Sequence, residues 1–435
     1  MRKWLPPPKQ WRATPPSPHW SRPFSALRSD VQHIQVPCAS AGDIPITLHN
    51  TASHSPTTPL ILWIPPFSFR DGPGGYDPAS LLPPRWLQGF PTATLNYRWA
   101  GLFADSDSDA GPRWPTPLHD VVFGWQWVLN NLAPPDLGRR DVYVYGSYLG
   151  ASLAASLALT EAHGHAPMGV RGLVAYNGVY NWTAMLRDHP INKGREMEGM
   201  DEGGSPFHLL KRRAPLLFRE PANLFDPFAS PTLFFHTSGL LVPPDFESEA
   251  DTSAYGTSEF TAAVDALSLG QQQQQPKGET PLEKATRKAY LTFPPRKSSL
   301  RIPDALLLYD PPPASSYVST KGRKREGKPA RRKYARVKGD TNSFESQARH
   351  FAKVMVRSVE MLELKDRMKW DSTYEDPDAR IEEAERRVKL FQVGEDAEDG
   401  AERGLGVLDL NGDGERVAGA WLRGRAEGGG DVEGV

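Results

Sequence analysis

The chain reads as an α/β protein, with a mostly parallel sheet of about eight strands, helices on both faces and a cap inserted between two strands. Two observations carry this. Short apolar runs alternate with helix-period segments along residues 31–370, and one apolar run passes through a glycine-flanked turn straight into a small-residue helix. The length of 435 residues, 39% of them hydrophobic and 10% aromatic, is enough for one large core with insertions.

The elements follow in order. Residues 33–37 and 44–49 are β-type runs expected to pair as an opening hairpin. Leu60-Ile61-Leu62-Trp63-Ile64 is apolar throughout and closed by Pro65-Pro66, the pattern of a strand buried on both faces. Strands four to eight are expected at 93–97, 141–145, 172–176, 232–235 and 305–309. Leu118, Val121, Val122, Trp125, Val128 and Leu132 recur at helical spacing. Further helices are expected at 150–160 and 343–364.

Three stretches interrupt this rhythm. Residues 181–229, rich in charge and proline, read as a cap. A low-complexity insertion covers about 247–290 and includes the glutamine run 271–275. A basic insertion covers about 311–340. Residues 1–30 read as a disordered basic, proline-rich leader, and 371–435 as a helical segment followed by a disordered acidic tail.

Composition excludes several classes. A formal net charge of −1 gives no general preference for nucleic acid or anionic membranes. Cys38 is the only cysteine, so there is no internal disulfide and no Cys-ligated zinc. No run approaches the roughly 18 apolar residues of a membrane span, and no secretory h-region is present. An intracellular protein is expected, cytoplasmic in the first instance. Residues 1–29 contain no acid, as in a mitochondrial presequence, but prolines 6, 7, 8, 15, 16, 18 and 23 oppose the amphipathic helix such a signal needs.

The most informative segment is Tyr145-Gly146-Ser147-Tyr148-Leu149-Gly150-Ala151, a strand entering a turn with glycines two before and two after its apex, then a helix. That context gives the Gly-x-Ser-x-Gly nucleophile motif its meaning. Here the apex is Tyr148. A phenol, with an ordinary pKa near 10, is a poor nucleophile at neutral pH without a strong base beside it.

With Tyr97-Arg98, Trp114-Pro115 and Asp120 ahead of it, this elbow resembles the hormone-sensitive-lipase-like esterases of the α/β-hydrolase fold. The resemblance runs from about residue 44 to 365, insertions excepted. The Gly-Ser-Tyr-Leu-Gly elbow and Phe293-Pro294-Pro295 are similar to those of fungal members of the fold. The resemblance implies a serine at the apex, an acid after the seventh strand, a histidine after the eighth, and a His-Gly-Gly oxyanion segment after the third. Against the expected strands these positions fall on Tyr148, Gly239 and Asn342, with Pro65, Pro66 and Phe67 at the oxyanion segment. Prolines offer no N–H to an oxyanion. All four parts depart together, which points to a catalytically degenerate member binding a small apolar or ester-like ligand or a partner.

An alternative is an active ester hydrolase with Ser147 as displaced nucleophile, His236 or His119 as base and Asp245 or Asp120 as acid. The simpler reading makes His119 a helix-start residue, His236 a strand-end residue and His350 a helix position. Arg98 and Asp120 read as a structural ion pair.

Two further signals remain. Lys321 to Lys338 holds two basic clusters, similar to a bipartite nuclear localisation signal or a nucleic-acid patch, though a solvated loop is the simpler reading. Asp409-Leu410-Asn411-Gly412-Asp413-Gly414 opens like an EF-hand loop, but its twelfth position is Ala420 instead of a bidentate glutamate. No metal and no cofactor are expected.

Overall fold

The computed structural model describes residues 31–38, 42–67, 82–99, 111–135, 137–186, 189, 206–236, 291–311, 317–320, 333–336, 342–394, 410 and 412–426. The leader, the low-complexity insertion, Gly239, Asp245 and the basic cluster 321–332 lie outside them.

Strands β1 (Val31–Pro37) and β2 (Asp43–His49) form the opening hairpin. β3 (Leu60–Ile64) is buried along its whole length, as its uninterrupted apolar sequence requires. β4 (Thr92–Leu95), β5 (Arg140–Ser147), β6 (Met168–Tyr176) and β7 (Asp304–Tyr309) follow. A hairpin of β8 (Tyr317–Thr320) and β9 (Lys333–Arg336) stands apart from the main sheet. β10 (Val388–Gln392) completes it. The eight strands run in the order β1-β2-β4-β3-β5-β6-β7-β10, antiparallel where β2 meets β1 and β4 and parallel elsewhere. With the strand–elbow–helix described below, this is the α/β-hydrolase fold.

Helices α1 (Thr116–Leu132) and α2 (Leu149–Glu161) cover one face, where Leu95 and Ile44 lie against Gly124 of α1. α3 (Pro206–Leu217) lies in the expected cap. α4 (Phe344–Ser358) opens on a capping box at Ser343 and continues as a π-helical stretch, Val359–Leu364. α5 (Pro377–Arg387) leads into β10, and α6 (Gly412–Ala426) packs on the opposite face, with Trp421 edge-on to Tyr143 at 6.1 Å. Among the described residues no helix is long and apolar enough to cross a membrane.

Two sequence expectations are corrected. Residues 232–235 belong to a 3-10 helix, Pro231–Phe235, and not to the seventh strand. A four-residue apolar run carries no period that separates strand from helix, and proline favours the first helical position. The seventh strand is therefore β7, and the eighth is β10, which pairs in parallel with β7 from Val388↔Ala305 to Gln392↔Tyr309. Residues 371–435, expected as a helical segment followed by a disordered tail, thus hold a strand of the main sheet and, at 412–426, a packed helix. Their attachment is electrostatic as well as apolar. Arg387 bonds Glu363 at 2.7 Å and Asp304 at 3.3 Å, Arg425 of α6 also pairs with Asp304, and Leu410, Val417, Ala418 and Leu422 are buried.

Candidate active site at the β5–α2 elbow

Tyr148 stands between β5 and α2 with φ 50° and ψ −114°, a conformation L-residues rarely adopt. The flanking glycines show what the turn demands. A Cβ on Gly146 would sit 2.4 Å from the Gly150 carbonyl oxygen, and one on Gly150 would sit 2.2 Å from that of Pro65 and 2.4 Å from that of Ile64. The helix start and the end of β3 approach so closely that neither position can carry a side chain.

The apex tyrosine is 5% exposed. Its ring meets Tyr176 at 5.7 Å and Phe344 at 5.5 Å, both edge-to-face, and Phe344 in turn meets Phe207 of α3 at 5.0 Å. These are the separations at which aromatic quadrupoles attract. The rings fill the space above the elbow. The Tyr148 hydroxyl accepts a hydrogen bond from Asn177 Nδ2 at 3.2 Å in a buried setting.

That bond opens a small polar network at the ends of β6 and β7. Asn177, itself at φ 49°, also donates to Asp310 Oδ2 at 3.0 Å, and accepts from the Asp310 N–H at 2.9 Å through Oδ1. The Tyr176 hydroxyl donates to Asp310 Oδ2 at 2.8 Å. Burial pushes the Tyr176 pKa far up, and the neighbouring Tyr148 and Asp310 add to the rise. Tyr176 therefore stays a neutral donor.

Because β7 is the seventh strand, the acid position of the resembling esterases falls on Asp310, immediately after it. It does not fall on Gly239. The strand count is one too high by Asp310, which hides it as the acid position, whereas Tyr176 and Asn177 close the correctly counted sixth strand and carry no motif of their own. Asn342 moves too. It precedes α4, between the seventh and eighth strands, donates to the Ala184 carbonyl at 2.8 Å and accepts from Gln347 Nε2 at 3.0 Å. It ties the start of α4 to the 3-10 turn at Trp182–Met185. The histidine position now follows β10, and the sequence contains no histidine after His350.

The oxyanion side is closed by the backbone. In this fold the N–H of the residue after the apex is one of the oxyanion donors. Here that N–H, on Leu149, donates to the Pro66 carbonyl at 3.1 Å, and the Pro65 carbonyl accepts from the Tyr97 hydroxyl at 3.1 Å. Pro65 and Pro66 have no N–H to replace it, and Phe67 is half-buried beside them.

Of the alternative triad, Asp245 lies outside the described residues, and no hydrogen bond joins Ser147 to His119, His236 or Asp120. Ser147 is 1% exposed, at the end of β5 opposite Tyr176. His119 is exposed on α1, while His236 bridges to Leu291. His350 is buried, which lowers its pKa to about 3, with His236, Lys353 and His189 adding to the effect. Both oxygens of Asp120 are engaged by Arg98, whose backbone N–H, Nε and Nη2 donate at 2.8, 2.9 and 2.5 Å. This pair joins the stretch after β4 to α1. The EF-hand-like stretch is helical from Gly412, while Asp409 and Asn411 lie outside the described residues. Among the described residues no cluster of His, Cys, Asp or Glu is arranged to hold a metal ion.

No protein-family model matches the chain, and no curated protein does. Among solved structures it is similar to a fungal esterase from Rhizomucor miehei, at 13% identity over 92% of this chain and 84% of that one, with a TM-score of 0.43. It is also similar to carboxyl esterase 2 of the mycorrhizal fungus Tuber melanosporum, at 10% identity over 85% and 78% and a TM-score of 0.39. EstE1, a thermostable carboxylesterase from a metagenomic library, matches at 18% identity over 48% of this chain with a TM-score of 0.33. The match spans just under two thirds of EstE1, 66% of its length. The fold assignment rests on the strand order and the elbow, not on these likenesses.

Proposed function

We propose that this chain is an esterase-like α/β-hydrolase-fold protein that binds and does not turn over. The observation that carries the reading is the occupied elbow. Tyr148 holds the nucleophile position, its ring is packed between Tyr176 and Phe344, and the adjacent Leu149 N–H is bonded to Pro66. An acyl group would have to displace packed aromatic rings, would meet a phenol in place of an activated serine, and would find the Leu149 N–H already engaged. Of the two occupants compatible with binding, a protein partner fits better than a small apolar ligand at the elbow, because aromatic rings already fill that volume.

The test is hydrolysis of short p-nitrophenyl esters by the purified full-length chain, beside Ser147→Ala. The expected result is a rate indistinguishable from the uncatalysed one for both proteins. Turnover that Ser147→Ala abolishes would sink this reading and establish the displaced-serine hydrolase instead.

A further inference from the structure

The main sheet ends at β1, and among the described residues only β2 pairs with that strand. Native edge strands are guarded by charges, prolines or bulges, because their free N–H and C=O groups would otherwise pair with other chains. β1 has little of this. Val31-Gln32-His33-Ile34-Gln35-Val36 contains no Lys, Arg, Asp or Glu, its register with β2 runs unbroken, and its proline, Pro37, stands at the last position. The ladder shows which backbone groups face outward. The Cys38 N–H donates to the Gly42 carbonyl, and the Pro45 carbonyl accepts from the Asn96 N–H on the β4 side. In an antiparallel strand the N–H and C=O of one residue point the same way, and the direction alternates along the chain. Gln35, opposite Pro45, is therefore turned away from β2, as are His33 and Val31.

The helix beside this edge has the same character. The one charged residue of α1, Asp120, is buried on Arg98. Its outward side shows His119, Val122, Phe123, Gln126 and Asn130, with Val122 47% and Phe123 38% exposed. A surface helix ordinarily turns charged residues to water. One flank of α1 faces α2, since Trp125 Nε1 donates to Glu161 at 2.8 Å. The other flank faces β1, since Asp120 adjoins Cys38 just after that strand. Phe123 and the half-buried Trp127 follow Asp120 at helical spacing along this second flank. Half-buried Ile34 points to the same side of the sheet, because Val36 pairs with Ile44 and Ile44 lies against Gly124. An open strand edge and an uncharged aromatic flank thus adjoin.

We infer that two copies of this chain join edge to edge through β1 about a two-fold axis, with Phe123 and Trp127 of each covering the joint. An antiparallel edge can pair with itself about such an axis, so that the sheet continues from one copy into the next. The symmetry also selects the partner. A charge near the axis would face its own like, and this surface carries none. Depletion of charge around aromatic side chains is the composition of an interface core. A second copy supplies both a matching edge and a matching pair of rings, whereas a partner recognised by charge would find nothing to bind. The joint uses neither Tyr148 nor its neighbours, so it holds whether or not the elbow is active.

The experiment is sedimentation equilibrium of the full-length chain over a concentration series, with amide hydrogen exchange on the same samples. A monomer–dimer equilibrium is expected, and exchange at the Val31, His33 and Gln35 amides should slow as concentration rises. Gln35→Pro removes an outward N–H and no bond to β2, while Phe123→Glu puts a charge on an exposed position. Each should raise the dimer dissociation constant about tenfold while keeping the circular dichroism of the parent. Phe123→Glu stays informative if the proline disturbs β1. A chain that remains monomeric up to about 100 μM would overturn the proposal. So would amide protection that does not change with concentration, which would assign the edge to another segment of the same chain. A dimer that both folded variants leave intact would place the contact elsewhere and overturn it as well.

Discussion

Around Tyr148 the chain keeps the geometric devices of a nucleophile turn, whereas of the other two triad positions only the one directly after β7 keeps its side chain, Asp310, and no histidine follows β10. The difference lies in what each region does for folding. The elbow is where β3, β5 and α2 press together, and its glycines and strained apex are demanded by backbone contacts that exist with or without chemistry. A catalytic histidine beyond β10 would serve the reaction alone. Asp310 falls between the two cases, since its carboxylate is the acceptor for both Tyr176 and Asn177.

That comparison can be broken at its strong end. Gly150→Ala should destabilise the chain by about 3 kcal/mol in urea unfolding, because backbone carbonyls cannot move aside as a side chain could. A loss near zero would mean that the turn is dispensable. Tyr148→Ser should lose about 2–4 kcal/mol through removal of a buried ring, and should show no ester turnover. Serine-dependent turnover in that variant would reveal a base not identified here. Asp310→Ala should lose about 1–3 kcal/mol, the penalty for leaving the Tyr176 and Asn177 donors unmet. A thermal melt equal to that of the parent would return Asp310 to the same standing as the missing histidine.

The fold was legible wherever a strand is buried on both faces. Residues 60–64 and 142–145 carry continuous apolar runs, and the elbow's glycine spacing sits directly after one of them. The errors came from weaker signals. Residues 232–235 are apolar but too short to declare a period. Val388–Gln392 is an edge strand, only partly buried, with Lys389 and Gln392 breaking its apolar pattern. Misplacing those two elements shifted the acid position from Asp310 to Gly239 and the histidine position from the stretch after β10 to Asn342. The filling of the elbow depended on Tyr176, Phe207 and Phe344, which are far apart in sequence and meet only through the strand order.

The late position of β10 has a consequence during synthesis. Strand β7, Asp304–Tyr309, is apolar over most of its length, and its outer edge is covered only by Val388–Gln392. About eighty further residues must leave the ribosome first, which at roughly 5–20 residues per second takes several seconds. Throughout that interval the nascent sheet presents an unpaired row of amide and carbonyl groups, a template for any other extended chain nearby. The protein's hazard in the cell is therefore greatest before its last strand arrives, and its yield depends on what shelters that edge in the meantime.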